Sequence, residues 1–162
     1  MKIYLSIFFV LWFFIGSANA QQKFAPNNAS RNQAIARGQA REYIAAMEAL
    51  GAEAESKERW AQASSAYRFA SSMAWLTGQL QKAIADGTKA LDSAERGGNP
   101  ALQVNAMITL STAYGDVRQR EKAKELLDKA LQITKTIKGD KQVIEGNLYI
   151  AFGEYHMRAR EQ

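Results

Sequence analysis

The chain has 162 residues, with 21 basic against 16 acidic side chains, a formal net charge of +5 and no cysteine. The missing thiols exclude disulfide staples, thiol catalysis and thiolate metal sites. No aromatic residues interleave with the basic ones between Arg118 and Lys141, so this local surplus of charge lacks the chemistry of a nucleic-acid strand groove.

The first segment has the order of a secretory signal peptide. Met1 and Lys2 are followed by the run "IYLSIFFVLWFFIG" and then by "SANA" before Gln21. That order predicts a signal peptide over residues 1–20, cleaved after Ala20, and a periplasmic or secreted protein. The run is shorter than the roughly twenty apolar residues that span a bilayer, so no integral membrane segment is expected after cleavage. Losing residues 1–20, and Lys2 with them, leaves 142 of the 162 residues and takes the net charge from +5 to +4. One domain with its own core fits that length.

Residues 21–30 carry Pro26, Asn27 and Asn28 and are expected to form a flexible leader before a helical domain over 31–162. Ser30 and Gln33 have capping-box spacing, which starts a long first helix near Arg31 and carries it to Ser56. A second helix runs from Glu58 to Leu76 and stops at Thr77-Gly78; a third runs from Gln79 to Arg96 and stops at Gly97-Gly98. Asn99 caps a fourth, with Pro100 in its first turn. The fifth covers Arg118 to Ile137, and Gly139-Asp140 separates it from a sixth that continues to the C-terminus. Nothing alternates with period two for long enough to suggest a strand.

The helices repeat. A shift of 40 sets Ala83 on Ala123, Ala90 on Ala130, and Tyr67, Ala70 and Ser71 on Met107, Leu110 and Ser111; a third copy starts at Leu148 with a shift of 41. Residues 107–131 place Met107, Leu110, Ser111, Tyr114, Ala123, Leu127 and Ala130 in the order of a tetratricopeptide repeat, which this chain resembles over roughly residues 41–160. Met47, Leu50, Gly51, Trp60, Ala63, Tyr67 and Ala70 give a second instance, and Tyr155 continues the third. The resemblance implies an all-α, right-handed α-solenoid of antiparallel helix pairs, about six helices in all. The second helix fits both the second-helix pattern of one unit and the first-helix pattern of the next. Pairing helices two with three and four with five leaves helix one as a cap and helix six unpaired. Gly87 stands where Leu127 stands one unit later, which is expected to weaken the packing of the third helix.

The same resemblance implies a concave groove that binds a peptide or protein segment, without catalysis and without a cofactor. Its lining positions map to Ser65, Arg68, Ser72 and Trp75, to Asn105, Ile108 and Thr112, and to Tyr149 and His156. His156 is the only histidine and builds no metal site alone. Between Arg118 and Lys141 eight basic residues face four acidic ones, but Glu125 with Lys129 and Glu121 with Lys124 are spaced to pair, so this stretch reads as a solvated helix face. The alternative function is a helical accessory subunit, or a self-associating structural protein acting with an envelope enzyme or cell-wall polymer. The exported form is expected to begin at Gln21. Its intact mass checks this, and a full-length chain in the membrane fraction would refute it.

Overall fold

The computed structural model describes residues 24–160; the expected signal peptide lies outside the described residues. These contain seven helices and no strand: α1 (Asn28–Ala36), α2 (Ala40–Ser56), α3 (Trp60–Leu76), α4 (Leu80–Arg96), α5 (Pro100–Asp116), α6 (Arg120–Thr134) and α7 (Gln142–Arg160). The fold is all-α and repeat-like. Its period is finer than the sequence shift of 40, because α2 to α6 start at residues 40, 60, 80, 100 and 120. A shift of 40 therefore spans two helices.

One turn makes every reversal from α1 to α6. Residues 38, 58, 78, 98 and 118 all have left-handed backbone, with φ of 66°, 53°, 73°, 60° and 61°. At each, two N–H groups reach back into the finished helix, as where Gly78 donates to the carbonyl of Trp75 and Gln79 to that of Ala74. This Schellman arrangement satisfies carbonyls that a helix end would otherwise orphan. Gly38, Gly78 and Gly98 take the conformation freely, whereas Glu58 and Arg118 carry a Cβ into it.

That turn corrects the expected long first helix, which Gly38 divides into α1 and α2. The start of α1 also differs. Asn27 is its cap, accepting from the Ser30 N–H at 2.8 Å, while the Ser30 hydroxyl accepts from the Ala25 N–H at 3.0 Å. The described part of the expected leader is packed rather than loose, because Phe24 is buried and meets the Tyr43 ring edge-on, with centroids 5.4 Å apart. An aromatic side chain that removes this much apolar surface from water fixes the segment that carries it. Asn99 caps α5 through the Leu102 N–H at 3.1 Å. α6 ends at Thr134, before Ile137, and a longer connection follows in which Asp140 accepts from the Gln142 N–H at 3.0 Å.

Each helix packs on the one before and the one after, and α3 meets α5 as α5 meets α7. The small repeat positions lie inside these crossings: Ala63, Ala70, Ala83, Ala90, Ala123 and Ala130 are buried. Bulk comes from Tyr43, Met47, Met73, Val104, Leu127 and Leu148. Tyr67, Met107, Leu110 and Ser111 are buried too, while Leu50, Trp60, Tyr114 and Tyr155 are half-buried. A Cβ on Gly51 would stand 2.6 Å from the Tyr67 ring. Gly87 does not leave the expected gap. Leu110 fills it, its Cδ1 lying 3.1 Å from where a Cβ would be, and the Ser71 hydroxyl alongside donates to the Ala83 carbonyl at 2.7 Å. Outside, Glu125 and Lys129 pair at 2.7 Å as spaced, but Lys124 pairs with Asp128 at 2.7 Å instead of Glu121.

Two polar clusters lie between the helices, one around Glu55 and one around Asp86. The Tyr67 hydroxyl donates to Glu55 at 2.9 Å, and Ser93 donates to the other carboxylate oxygen at 3.0 Å. Asp86 is 1% exposed, and burial with the neighbouring Glu48 carboxylate raises its pKa from 3.8 to about 6 against the opposing Lys82 and Lys89. Lys82 bonds Glu48 and stands 3.8 Å from Asp86.

Two outcomes follow from these features. Glu58→Gly and Arg118→Gly relieve left-handed strain, partly offset by a freer unfolded chain, and each is expected to add roughly 0.5–1 kcal/mol in urea unfolding. A loss of stability in both would show that the side chains hold the turns. Asp86 keeps its proton in the native state up to about pH 6, where the unfolded chain has already lost it, so stability falls as pH rises from 3.8 through 6. Asp86→Asn is therefore expected to raise the melting temperature at pH 8 and to lose that advantage towards pH 4. A gain that does not vary with pH would refute the assignment.

Candidate functional site

Where α3, α5 and α7 meet, their shared surface hollows into an open cavity of about 250 Å³. Arg68, Ser72 and Trp75 reach it from α3, and Asn105, Ile108 and Thr112 reach it from α5. Spacings of three and four along each helix put these side chains on one stripe, and the antiparallel helix between α3 and α5 brings the two stripes side by side. Ser65 is half-buried on α3 and does not line the cavity.

α7 presents different residues from those the repeat selects. Asn147, Ile150, Ala151 and Glu154 line the cavity, 42 residues after Asn105, Ile108, Thr109 and Thr112 of α5. Tyr149 is 66% exposed and His156 is exposed as well, neither lining the cavity. At 3.6 residues per turn both lie on the side of α7 opposite the lining stripe. The longer connection after α6 shifts the register from 40 to 42 and turns them outward. No sequence periodicity within α7 carries that information; the break at Gly139-Asp140 is its only trace.

One wall of the cavity is tied through all three helices. The Trp75 indole N–H donates to the Asp116 carboxylate, whose other oxygen lies 3.0 Å from the Arg158 Nε. Arg158 also meets Glu154 at 3.5 Å, and its carbonyl accepts from Arg120 at 3.3 Å. Charge-assisted contacts of this kind fix the orientation of the groups that make them. Trp75 is thereby held against the cavity as a rigid face. Behind the tie, between α5, α6 and α7, lies a second cavity of similar size walled by Arg118, Arg120 and Tyr155.

The end nearest α1 has another character. Arg68 stacks over the Phe69 ring at 4.4 Å, and Arg31 of α1 donates to the Ser72 hydroxyl at 3.0 Å. Burial, with the positive Arg31 nearby, lowers the Arg68 pKa from its ordinary value. Burial also pushes Tyr43, which donates to the Ala25 carbonyl at 3.3 Å, up to about 12. Arg31 lies before the repeats, so repeat position does not select it; only its charge, among the neutral polar residues Asn28, Ser30, Asn32 and Gln33, marks it.

The lining offers amides, hydroxyls, one cation, the Glu154 carboxylate and an apolar wall of Ile108, Ile150 and Trp75. Such a surface can hydrogen-bond and cover an extended segment. Among the described residues no group of three His, Asp or Glu side chains is placed to hold a metal ion, and no helix is long and apolar enough to cross a membrane. Compared with known proteins, the chain matches no family model, no curated protein and no solved structure.

Proposed function

We propose that this chain is an exported, tetratricopeptide-like interaction module of the cell envelope, which holds a peptide or protein segment in the α3–α5–α7 groove and catalyses no reaction. The observation that carries the reading is convergence. Arg68, Ser72, Trp75, Asn105, Ile108 and Thr112, selected by repeat position alone, line a single cavity. Trp75 and Ile108 offer apolar area, and Asn105 can both donate and accept hydrogen bonds to a peptide backbone. The basic face of α6 is the comparison surface, since its charges are exposed and engaged with one another.

A second reading, self-association, is favoured by one stripe of α7. Val143, Ile150 and Met157 recur every seven residues and are 75%, 62% and 60% exposed, with the open positions Gly146 and Gly153 between them. An apolar helix face without a partner is a surface that a second helix could cover.

The groove reading is tested with the partner captured from the native envelope. Asn105→Ala, Ile108→Ala and Asn147→Ala together should weaken its binding by tenfold or more, at roughly 1 kcal/mol or more for each anchor that is a hot spot, and circular dichroism should be unchanged. Lys122→Glu with Lys129→Glu should change the salt dependence of binding and leave specificity intact. Full binding by the groove variant together with loss in the charge-reversed one would move the working face to α6.

A further inference from the structure

We propose that Arg31 and Arg68 form a carboxylate site at the α1 end of the groove, so that the segment held there carries an acidic side chain. The inference rests on the groove reading and names the class of segment.

Two guanidinium groups from different helices are brought together, and neither is neutralised. Among the described residues no carboxylate oxygen lies within 4.0 Å of Arg31 or Arg68, although the chain forms ion pairs elsewhere. The acids on the groove wall are already engaged, since Glu154 and Asp116 both face Arg158. The Nε atoms of Arg31 and Arg68 are buried and have no acceptor. A buried N–H without a partner costs stability, and two like charges side by side cost more. A carboxylate between them removes both penalties at once, because a planar guanidinium offers two parallel N–H groups to its two oxygens.

The rest of the groove argues for a side chain on a segment rather than a small free oxyanion. Arg31 is bonded to Ser72, and from Ser72 the lining runs on through Asn105 and Ile108 to Ile150. That leaves room for residues flanking the acidic one, with amides for their backbone and apolar area for their side chains. The net charge, +5 for the whole chain and +4 without residues 1–20, favours the approach of an acidic segment.

The test uses the full chain labelled with ¹⁵N, so that the Nε–H resonances of Arg31 and Arg68 and the backbone amides of Asn105 and Ile108 are read together. Two pools of N-acetylated, C-amidated pentapeptides are titrated, with glutamate or glutamine fixed at the centre and every residue varied around it. The glutamate pool should move all four resonances at about tenfold lower concentration than the glutamine pool. Arg31→Gln and Arg68→Gln should each abolish that difference. Equal shifts of Asn105 and Ile108 with both pools, the arginine resonances staying still, would overturn the carboxylate site and leave the groove standing. No shift of Asn105 or Ile108 with either pool would overturn both readings. Inorganic phosphate moving the arginine resonances where neither pool does would overturn the segment as occupant.

Discussion

Everything in this chain depends on a left-handed residue at every twentieth position. It ends each helix from α2 to α5 after 17 residues, about 25 Å of rise, and returns the backbone antiparallel within three. Equal helices with equal connections can stack in register, and only then do the small residues of one meet the large residues of the next. The two N–H groups that reach back at each turn complete the hydrogen bonding, so that no water need enter between layers.

The core that results is built from contrast. Alanine and glycine bring backbones together at the crossings, and a few large side chains take up what remains. Tyr67 shows how tightly the two are matched, since its ring lies where Gly51 would carry a Cβ and its hydroxyl requires Glu55, which Ser93 also holds. Overpacking such a contact costs roughly 1–3 kcal/mol. The same matching leaves Asp86 poorly solvated between α2 and α4, beside Glu48, so the tight crossing that stabilises the fold also holds a proton there to about pH 6.

Much of this was legible in the residues. Helix boundaries between 56 and 120 follow from Gly78, Gly97-Gly98 and the Asn99-Pro100 cap, and the buried alanines follow from the repeat. Gly38 was missed because it stands alone between Arg37 and Gln39, with no second glycine, proline or capping Asn, Asp, Ser or Thr beside it to mark a break, and Glu58 and Arg118 concealed the period of twenty by standing where glycine usually does. The two-way fit of the second helix has a physical source, since α3 packs on both α2 and α4. At the groove, the α3 and α5 positions could be read because a 40-residue register connects them. The α7 positions could not, because the register there depends on how a seven-residue connection enters the next helix. Arg31 depends on a contact 41 residues away, which no local pattern encodes.

A chain with this construction can grow by copying itself. Residues 80–119 comprise one helix of each kind, and both ends of that stretch follow a glutamine, Gln79 and Gln119, that leaves a left-handed turn. An in-frame duplication joins like to like at the seam: the new pair meets alanines at its crossings and extends the shared surface by one layer without altering the layers already present. Under the proposed reading, each added layer would lengthen the segment that the groove can cover, while Arg31 and Arg68 at the α1 end would stay as they are.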